Sequence, residues 1–392
     1  MNPLRIALLG STGSIGTSTL RAVRALKGRV RVELLAAQGT KPELLAAQAA
    51  EFHPSCVAVT DKAKAAEVKT LLPKECRFLS GMDELCSALR SADIDLVLCA
   101  IAGSPGLPPV IAALQAGKRL ALATKEALVM AGHYVTELAA QNGVKIFPVD
   151  SEHSAVFQCL EGHPASQIKE LVLTASGGPF RNKTRAEMDK MTWADALKHP
   201  TWSMGPKVSV DSASLMNKAL EIVEARWLFD MEADRIGVVI HPQSIVHSMI
   251  RFQDGVLLAQ MSVPDMIFPI QYALTWPDRI SSGLPDLDLA AVGSLTFEEA
   301  SETRFPALGF ARSALRSGRT FPLAMNAAND IALERFRAGE IPFTGIWKIV
   351  EKTLEAHEPL NDLDLEEIQE ADRRARAYAR TVQVQENLFT LG

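Results

Sequence analysis

The segment Leu9-Gly10-Ser11-Thr12-Gly13-Ser14-Ile15-Gly16 constrains the fold of this chain more than any other. It follows an apolar run at 6–9 and precedes a helical pattern at 17–26. Glycines at such a junction let the backbone reach φ > 0 and allow a ligand to approach the main chain closely. The N–H groups of the helix's first turn then face an anion, helped by the helix dipole. The spacing G-x-x-G-x-x-G is a variant of the dinucleotide fingerprint, and its place between a strand and a helix gives it weight. A tight βα turn that binds nothing is the plain alternative.

Over the first 150 residues, apolar runs at 6–9, 32–36, 57–59, 96–99, 120–123 and 144–149 alternate with helical patterns at 17–26, 42–51, 82–90, 107–116 and 126–141. Continuous apolar strands between helices predict a parallel, doubly wound α/β sheet covered on both faces. An NAD-binding fold places a carboxylate at the end of the second strand to hold the ribose 2′-OH. Here that place reads Ala37-Gln38-Gly39-Thr40-Lys41, without a carboxylate and with a lysine nearby, which favours NADP.

The pattern changes after residue 150. A polar stretch opens at Ser176-Gly177-Gly178-Pro179 and closes with His199-Pro200-Thr201-Trp202-Ser203-Met204-Gly205. A glycine-hinged loop bearing tryptophan suits a lid that excludes water, or simply a surface loop anchored by Trp202. A helix is predicted from about 213 to 229, then strands at 238–240, 248–252 and 256–261. Gln253-Asp254-Gly255 is a hairpin signal between the last two. Residues 277–288 have linker composition. The final stretch is helical only: Leu365, Ile368, Ala371, Ala375, Tyr378 and Val382 recur on one face, and Asp364 with Glu367 suggests a cap. The expected architecture is an N-terminal Rossmann-type domain over 1–150, an α+β domain over 151–277, a linker over 278–303 and a C-terminal helical bundle over 304–392.

Composition adds exclusions. Lys+Arg number 41 against 46 Asp+Glu in 392 residues, a formal charge of −5, which offers nucleic acid no electrostatic attraction. Five cysteines at 56, 76, 86, 99 and 159 form no CxxC pair, so reduced thiols and a cytoplasmic protein are expected. The amino terminus runs straight into a strand pattern without the layout of a secretory signal, and no apolar stretch has the length of a membrane span.

Two clusters carry chemistry. Phe147-Pro148-Val149-Asp150-Ser151-Glu152-His153 ends an apolar strand. If extended geometry continues one step, Asp150 and Glu152 point the same way at the carboxyl end of the sheet. Such oxygen ligands suit Mg²⁺ or Mn²⁺; a solvated acidic loop capping a helix with Asp150 or Ser151 is the alternative. In Asp211-Ser212-Ala213-Ser214-Leu215-Met216-Asn217-Lys218-Ala219-Leu220-Glu221, Asp211 and Ser212 are N-cap candidates. Asn217 and Glu221 stand four apart with Lys218 beside them, a set that suits a phosphate or forms an exposed helix face. His241 at a strand end is expected to be structural.

Taken together, these segments resemble the 1-deoxy-D-xylulose 5-phosphate reductoisomerases, NADPH-dependent enzymes of the non-mevalonate isoprenoid pathway. The resemblance spans nearly the whole chain. It adds Lys125-Glu126-Ala127-Leu128-Val129, His241-Pro242-Gln243-Ser244 and Asn326-Ala327-Ala328-Asn329 to the segments above, and departs from the usual pattern at Thr124, at 37–40 and at Ile267. It implies one divalent ion, Mn²⁺ or Mg²⁺, on Asp150, Glu152 and Glu221. It implies a sugar phosphate substrate, with Ser176, Ser212, Asn217 and Lys218 at the phosphate end and Lys125, Ser151, Glu152 and His199 along the carbon chain. Lys125, Glu152 and His199 would be catalytic. Thr12, Gly13, Ser14, Ile15, Gly39, Thr40, Thr124, Glu126 and Gly205 would hold NADPH. A homodimer is implied, with no nucleic-acid or membrane partner. Two other classes stay open at this point: an aspartate-semialdehyde or homoserine-type dehydrogenase, the former needing a nucleophilic cysteine, and a non-catalytic NADP sensor.

Overall fold

Short apolar runs flanked by helices form a seven-stranded sheet in which every pairing is parallel. The computed structural model describes residues 2–91, 93–202 and 204–384; Ser203, within the segment expected to act as a lid, lies outside the described residues. The strands are β1 (Leu4–Leu9), β2 (Val30–Ala37), β3 (Cys56–Val59), β4 (Arg77–Ser80), β5 (Leu96–Cys99), β6 (Arg119–Leu122) and β7 (Ile146–Pro148), in the spatial order β4-β3-β2-β1-β5-β6-β7. Strand order reverses at β1, the switch point where open α/β sheets bind ligands, and the glycine loop follows β1 there. Ile6, Leu8, Leu35, Val57, Leu96, Leu98 and Phe147 are buried in its core.

This sheet belongs to a unit made of Met1–Ala127, Val135–Gln158 and Asp265–Leu287. The last segment contributes the helix Ile267–Thr275, which buries Ile270 and Ala273 in the same core. The sequence reading missed β4 and the helix Ala65–Leu71. Both are short, and β4 is an edge strand whose Arg77 is exposed, so neither has an apolar run long enough to stand out. The first helix starts at Ser14, earlier than its apolar periodicity indicates, because Gly13 in extended conformation caps it.

The second unit comprises Leu128–Tyr134, Cys159–Pro264 and Asp288–Gly392. Its sheet contains β8 (Ile168–Ala175), β9 (Ile236–Ile240), β10 (Val246–Phe252), β11 (Leu257–Met261) and β12 (Glu298–Glu299), ordered β11-β10-β8-β9-β12. Central β8 escaped the sequence reading because Lys169 and Glu170 interrupt its apolar run. The β10–β11 hairpin forms at the expected turn, with Gly255 at φ +91°. β12 and a short helix, Leu289–Val292, lie within the stretch read as linker.

The single helix expected from about 213 to 229 is two. Pro206–Ser214 begins on Gly205 with Pro206 in its first turn, and Met216–Phe229 follows. Leu215, at φ +57°, separates them, a break that no glycine or proline announces. Asp211 and Ser212 therefore lie inside the first helix and are not N-caps. Four longer helices close the chain: Ala307–Ser317, Phe321–Arg337, Gly345–Ala356 and Leu365–Thr381. On the last of these Ile368, Ala371, Ala375 and Ala379 are buried, whereas Tyr378 is 41% exposed. Ala379 replaces Tyr378 on the inner face because four-residue steps from Ala371 lead to it. Asp364 caps this helix by accepting from the N–H groups of Glu366 and Glu367, while the Glu367 carboxylate accepts from Asn361 N–H instead of closing the cap. Among the described residues no helix is long and apolar enough to cross a membrane.

Gly10 and Gly16 are demanded by close approach. A Cβ on Gly10 would lie 2.4 Å from the Ala100 carbonyl oxygen, and one on Gly16 would lie 2.3 Å from the Gly10 carbonyl oxygen. Both neighbours are backbone and cannot rotate away. Gly16→Ala is expected to lower stability by about 1–3 kcal/mol through overpacking, read as a shift in the urea midpoint; an unchanged midpoint would contradict this steric account.

Candidate active site

In the first unit the glycine loop is held at the carboxyl end of β1 by Gly10 and Ser11 N–H groups, which both donate to the Ala36 carbonyl. Gln48 Nε2 donates to the Ser11 carbonyl at 3.0 Å, and Lys41 Nζ to the Thr12 carbonyl at 3.2 Å. Thr12, Gly13, Ser14 and Ile15 thus sit where an anion would meet the first helix, whose first turn carries no acidic residue. Gly39 and Thr40 follow β2. Gly39 adopts φ +94°, and a Cβ there would lie 2.9 Å from Val59 Cγ1. Lys41 therefore sits beside the glycine loop, with no carboxylate at the end of β2.

Thr124, Lys125 and Glu126 link β6 to the helix Glu126–Gln141. Thr124 donates its hydroxyl to the Ile101 carbonyl at 2.6 Å, tying the ends of β5 and β6 together. Lys125 Nζ donates to Asp150 Oδ2 at 2.8 Å. The extended geometry expected beyond Asp150 does not occur: β7 ends at Pro148 and a helix begins at Ser151. Asp150 caps that helix, its Oδ1 accepting from Glu152 N–H at 3.1 Å and its carbonyl from Ser154 N–H at 2.8 Å. The two carboxylates nevertheless converge, with oxygens within 4.8 Å of one another, because a helical turn replaces strand alternation. Ser151 donates its hydroxyl to the Glu152 carboxylate. Buried His153 places Nδ1 3.0 Å from Asp150 Oδ1, a partner that the sequence reading quoted without giving it a role.

In the second unit, Ser176 follows β8 and meets His199: Oγ and Nε2 are 2.9 Å apart. His199 Nδ1 accepts from the N–H groups of Thr201 and Trp202, at 3.2 and 2.9 Å. The neutral ring must therefore carry its proton on Nε2 and donate it to Ser176. Ser176 Oγ also accepts from Gly178 N–H at 3.2 Å, so its own hydrogen remains for donation outward. A Cβ on Gly178 would lie 2.5 Å from the Ser212 carbonyl oxygen, so only glycine lets this loop rest on the helix bearing Ser212.

Asn217 and Lys218 both donate to the Glu221 carboxylate. Lys218 is 2% exposed and Glu221 1%, which overturns the reading of this helix face as a solvated surface. Gly205 caps the helix that carries Ser212. Asp211, missed as a helix-interior residue, accepts from Lys207 and from Asn329, and burial pushes its carboxyl up. His241 is structural as expected: Nδ1 meets the Thr296 carbonyl and Nε2 accepts from Ile245 N–H. Burial pushes the Cys56 and Cys99 thiols up to about 11, and Cys159 is buried within its helix, which leaves the open dehydrogenase alternative without an exposed nucleophile there.

Burial pushes the His199 imidazole down to about 4, below its ordinary 6.5. The folded state therefore disfavours the proton: the stability this gives is present above pH 6.5 and is lost as pH falls towards about 4. In an NMR titration the His199 ring is expected to stay neutral through pH 5.5, with its midpoint near 4; a midpoint near 6.5 would contradict the desolvation of this ring.

Comparison with known proteins places these two sets of residues in one family. Residues 6–132 match the model of 1-deoxy-D-xylulose 5-phosphate reductoisomerase, 146–229 its C-terminal domain, and 261–378 a further DXP reductoisomerase C-terminal domain. The chain is similar to the reductoisomerase of Chlorobium phaeovibrioides, 50% identical over 378 residues, covering 96% of this chain and 98% of that one. The reductoisomerase of Prosthecochloris aestuarii is also 50% identical, over 375 residues, covering 95% and 98%. Among solved structures, a DOX-P reductoisomerase in complex with NADPH, fosmidomycin and magnesium aligns with TM-score 0.91 at 40% identity, covering 96% of this chain and 97% of that one. The Zymomonas mobilis enzyme in complex with NADPH aligns with TM-score 0.90 at 38% identity, covering 96% and 98%. The chain belongs to the 1-deoxy-D-xylulose 5-phosphate reductoisomerase family.

Proposed function

We propose that this protein converts 1-deoxy-D-xylulose 5-phosphate into 2-C-methyl-D-erythritol 4-phosphate, with NADPH and one divalent cation, for isoprenoid precursor synthesis. The observation that carries this is half-identity to named reductoisomerases over almost the full length of both chains. Residues 1–150 would bind the cofactor, 151–277 carry catalysis and subunit pairing, and 304–392 form the helical part. Thr12, Gly13, Ser14, Ile15, Gly39, Thr40, Thr124, Glu126 and Gly205 serve the nucleotide, and Lys41 favours its 2′-phosphate.

Asp150, Glu152 and Glu221 would hold the cation, all hard oxygen donors suited equally to Mg²⁺ and Mn²⁺. When bound, such an ion supplies Lewis-acid polarisation of a carbonyl and its neighbouring oxygen. The chain's own groups do the rest. Lys218, Ser176, Ser212 and Asn217 take the phosphate, a remote anchor that orients the reacting carbons. His199 stays neutral and keeps Ser176 facing outward as a donor. Lys125 and Glu152 move the substrate's hydroxyl proton, with Lys125 already oriented by Asp150. Ser151 steadies the Glu152 carboxylate.

We also propose a cytoplasmic homodimer, paired through β11. That strand is an edge of its sheet and exposes Val256, Leu257 and Leu258 around the hairpin, an unprotected edge of the kind that pairs with another chain. Leu257→Glu with Leu258→Glu is expected to yield a monomer by light scattering, whereas an unchanged mass would remove β11 from the interface.

Replacing either Glu152 or Glu221 by Gln is expected to cut NADPH oxidation with 1-deoxy-D-xylulose 5-phosphate at saturating Mn²⁺ by a factor of about 100 or more. Turnover like the unaltered protein would take that residue out of the mechanism. No metal-dependent NADPH consumption by the unaltered protein would favour a cofactor sensor instead.

A further inference from the structure

The turn that carries the phosphate residues is held from behind. Leu215 links the helices Pro206–Ser214 and Met216–Phe229 at φ +57°, ψ 13°, a conformation an L residue keeps only when its surroundings impose it. Two contacts from the C-terminal helices hold the residues on its N-terminal side. Trp347 Nε1–H donates to the Ser214 carbonyl at 3.1 Å, satisfying a helix-end acceptor. Asn329 Nδ2 donates to Asp211 Oδ1 at 2.7 Å, while Lys207 Nζ donates to Asp211 Oδ2 at 2.8 Å. Asp211 is 1% exposed and Asn329 0%, so neither bond can be replaced by bulk water. Asp211 directly precedes Ser212, and Leu215 is followed within three residues by Asn217 and Lys218.

We propose that Asn329, acting through Asp211, is a positioning residue that sets where Ser212, Asn217 and Lys218 stand for the substrate phosphate. This rests on the reductoisomerase reading and adds to it a residue from the C-terminal helices that touches no substrate. A residue that merely filled the core would be replaceable by an apolar side chain of similar volume. A positioning residue needs its amide hydrogen, because without it the buried Asp211 carboxylate keeps Lys207 alone and the turn is free to shift.

Asn329→Leu keeps the branched shape and the number of side-chain heavy atoms and removes the donor. The Michaelis constant for 1-deoxy-D-xylulose 5-phosphate is expected to rise about tenfold or more, the scale of a lost hydrogen bond to a charged group. The turnover number should fall much less, and NADPH affinity by fluorescence titration should stay unchanged. The exchange Asp211→Asn with Asn329→Asp restores one amide and one carboxylate across the pair and is expected to bring the constant back towards its original value. Should Asn329→Leu fail to fold, Asn329→Ala, which also lacks the donor, is read the same way. An unchanged Michaelis constant, an equal loss of NADPH affinity, or no recovery in the exchange variant would overturn the proposal. If the unaltered protein turns over no substrate, the reaction reading fails separately. Calorimetric binding of inorganic phosphate to the unaltered protein and to Asn329→Leu then decides the positioning role, with weaker binding to the variant expected and equal binding overturning it.

Discussion

One carboxylate organises the carboxyl end of the first unit's sheet. Asp150 stands two residues beyond the last strand of the parallel sheet, caps the helix that follows, and accepts from Lys125 Nζ while meeting His153 Nδ1. Glu152 comes to its side through the first turn of the helix that Asp150 caps, not through strand alternation. Residues from two βα junctions, after β6 and after β7, thereby share one point at the carboxyl end of the sheet. That end is where an open α/β sheet concentrates its loops and helix starts, and the glycine loop after β1 opens on the same edge.

The second unit follows a different logic. Several of its charged groups, Asp211, Lys218 and Glu221 among them, are buried, and burial of a charge demands a partner. Glu221 answers both Asn217 and Lys218, Ser176 answers His199, and Asp211 answers Lys207 and Asn329. Buried ion pairs gain little net stability over apolar packing, but removing one partner is costly. Such a network suits a site in which hydrogen-bond geometry matters more than stability. Gly178 belongs to it through its N–H on Ser176 Oγ and through size, since any Cβ would strike the Ser212 carbonyl.

Much of this was legible in the residues. The glycine loop, six of the seven parallel strands and the β10–β11 hairpin follow from apolar runs and turn chemistry, which are local signals. What escaped was non-local. β4 is too short and too exposed at its edge to show an apolar run, and β8 is interrupted by two charged residues that its position in the sheet tolerates. The break at Leu215 is flanked by contacts from residues distant in sequence, Asn329 on Asp211 and Trp347 on the Ser214 carbonyl, and neither a glycine nor a proline marks it. The candidate site residues were legible as chemistry: carboxylates, a lysine, hydroxyls. Their roles came through resemblance, because the contacts that orient them, such as the Nε2 proton of His199, depend on backbone groups that a sequence does not display.

The claim on which the chemistry turns is that three acidic side chains, Asp150, Glu152 and Glu221, grip one divalent ion against the substrate's oxygens. The most direct measurement is anomalous diffraction from crystals of the protein grown with Mn²⁺ and fosmidomycin, the ligand held by its solved relative. A single manganese peak within coordination distance of oxygens from all three carboxylates is the expected result. A peak elsewhere, or one bound without Glu221, would contradict it.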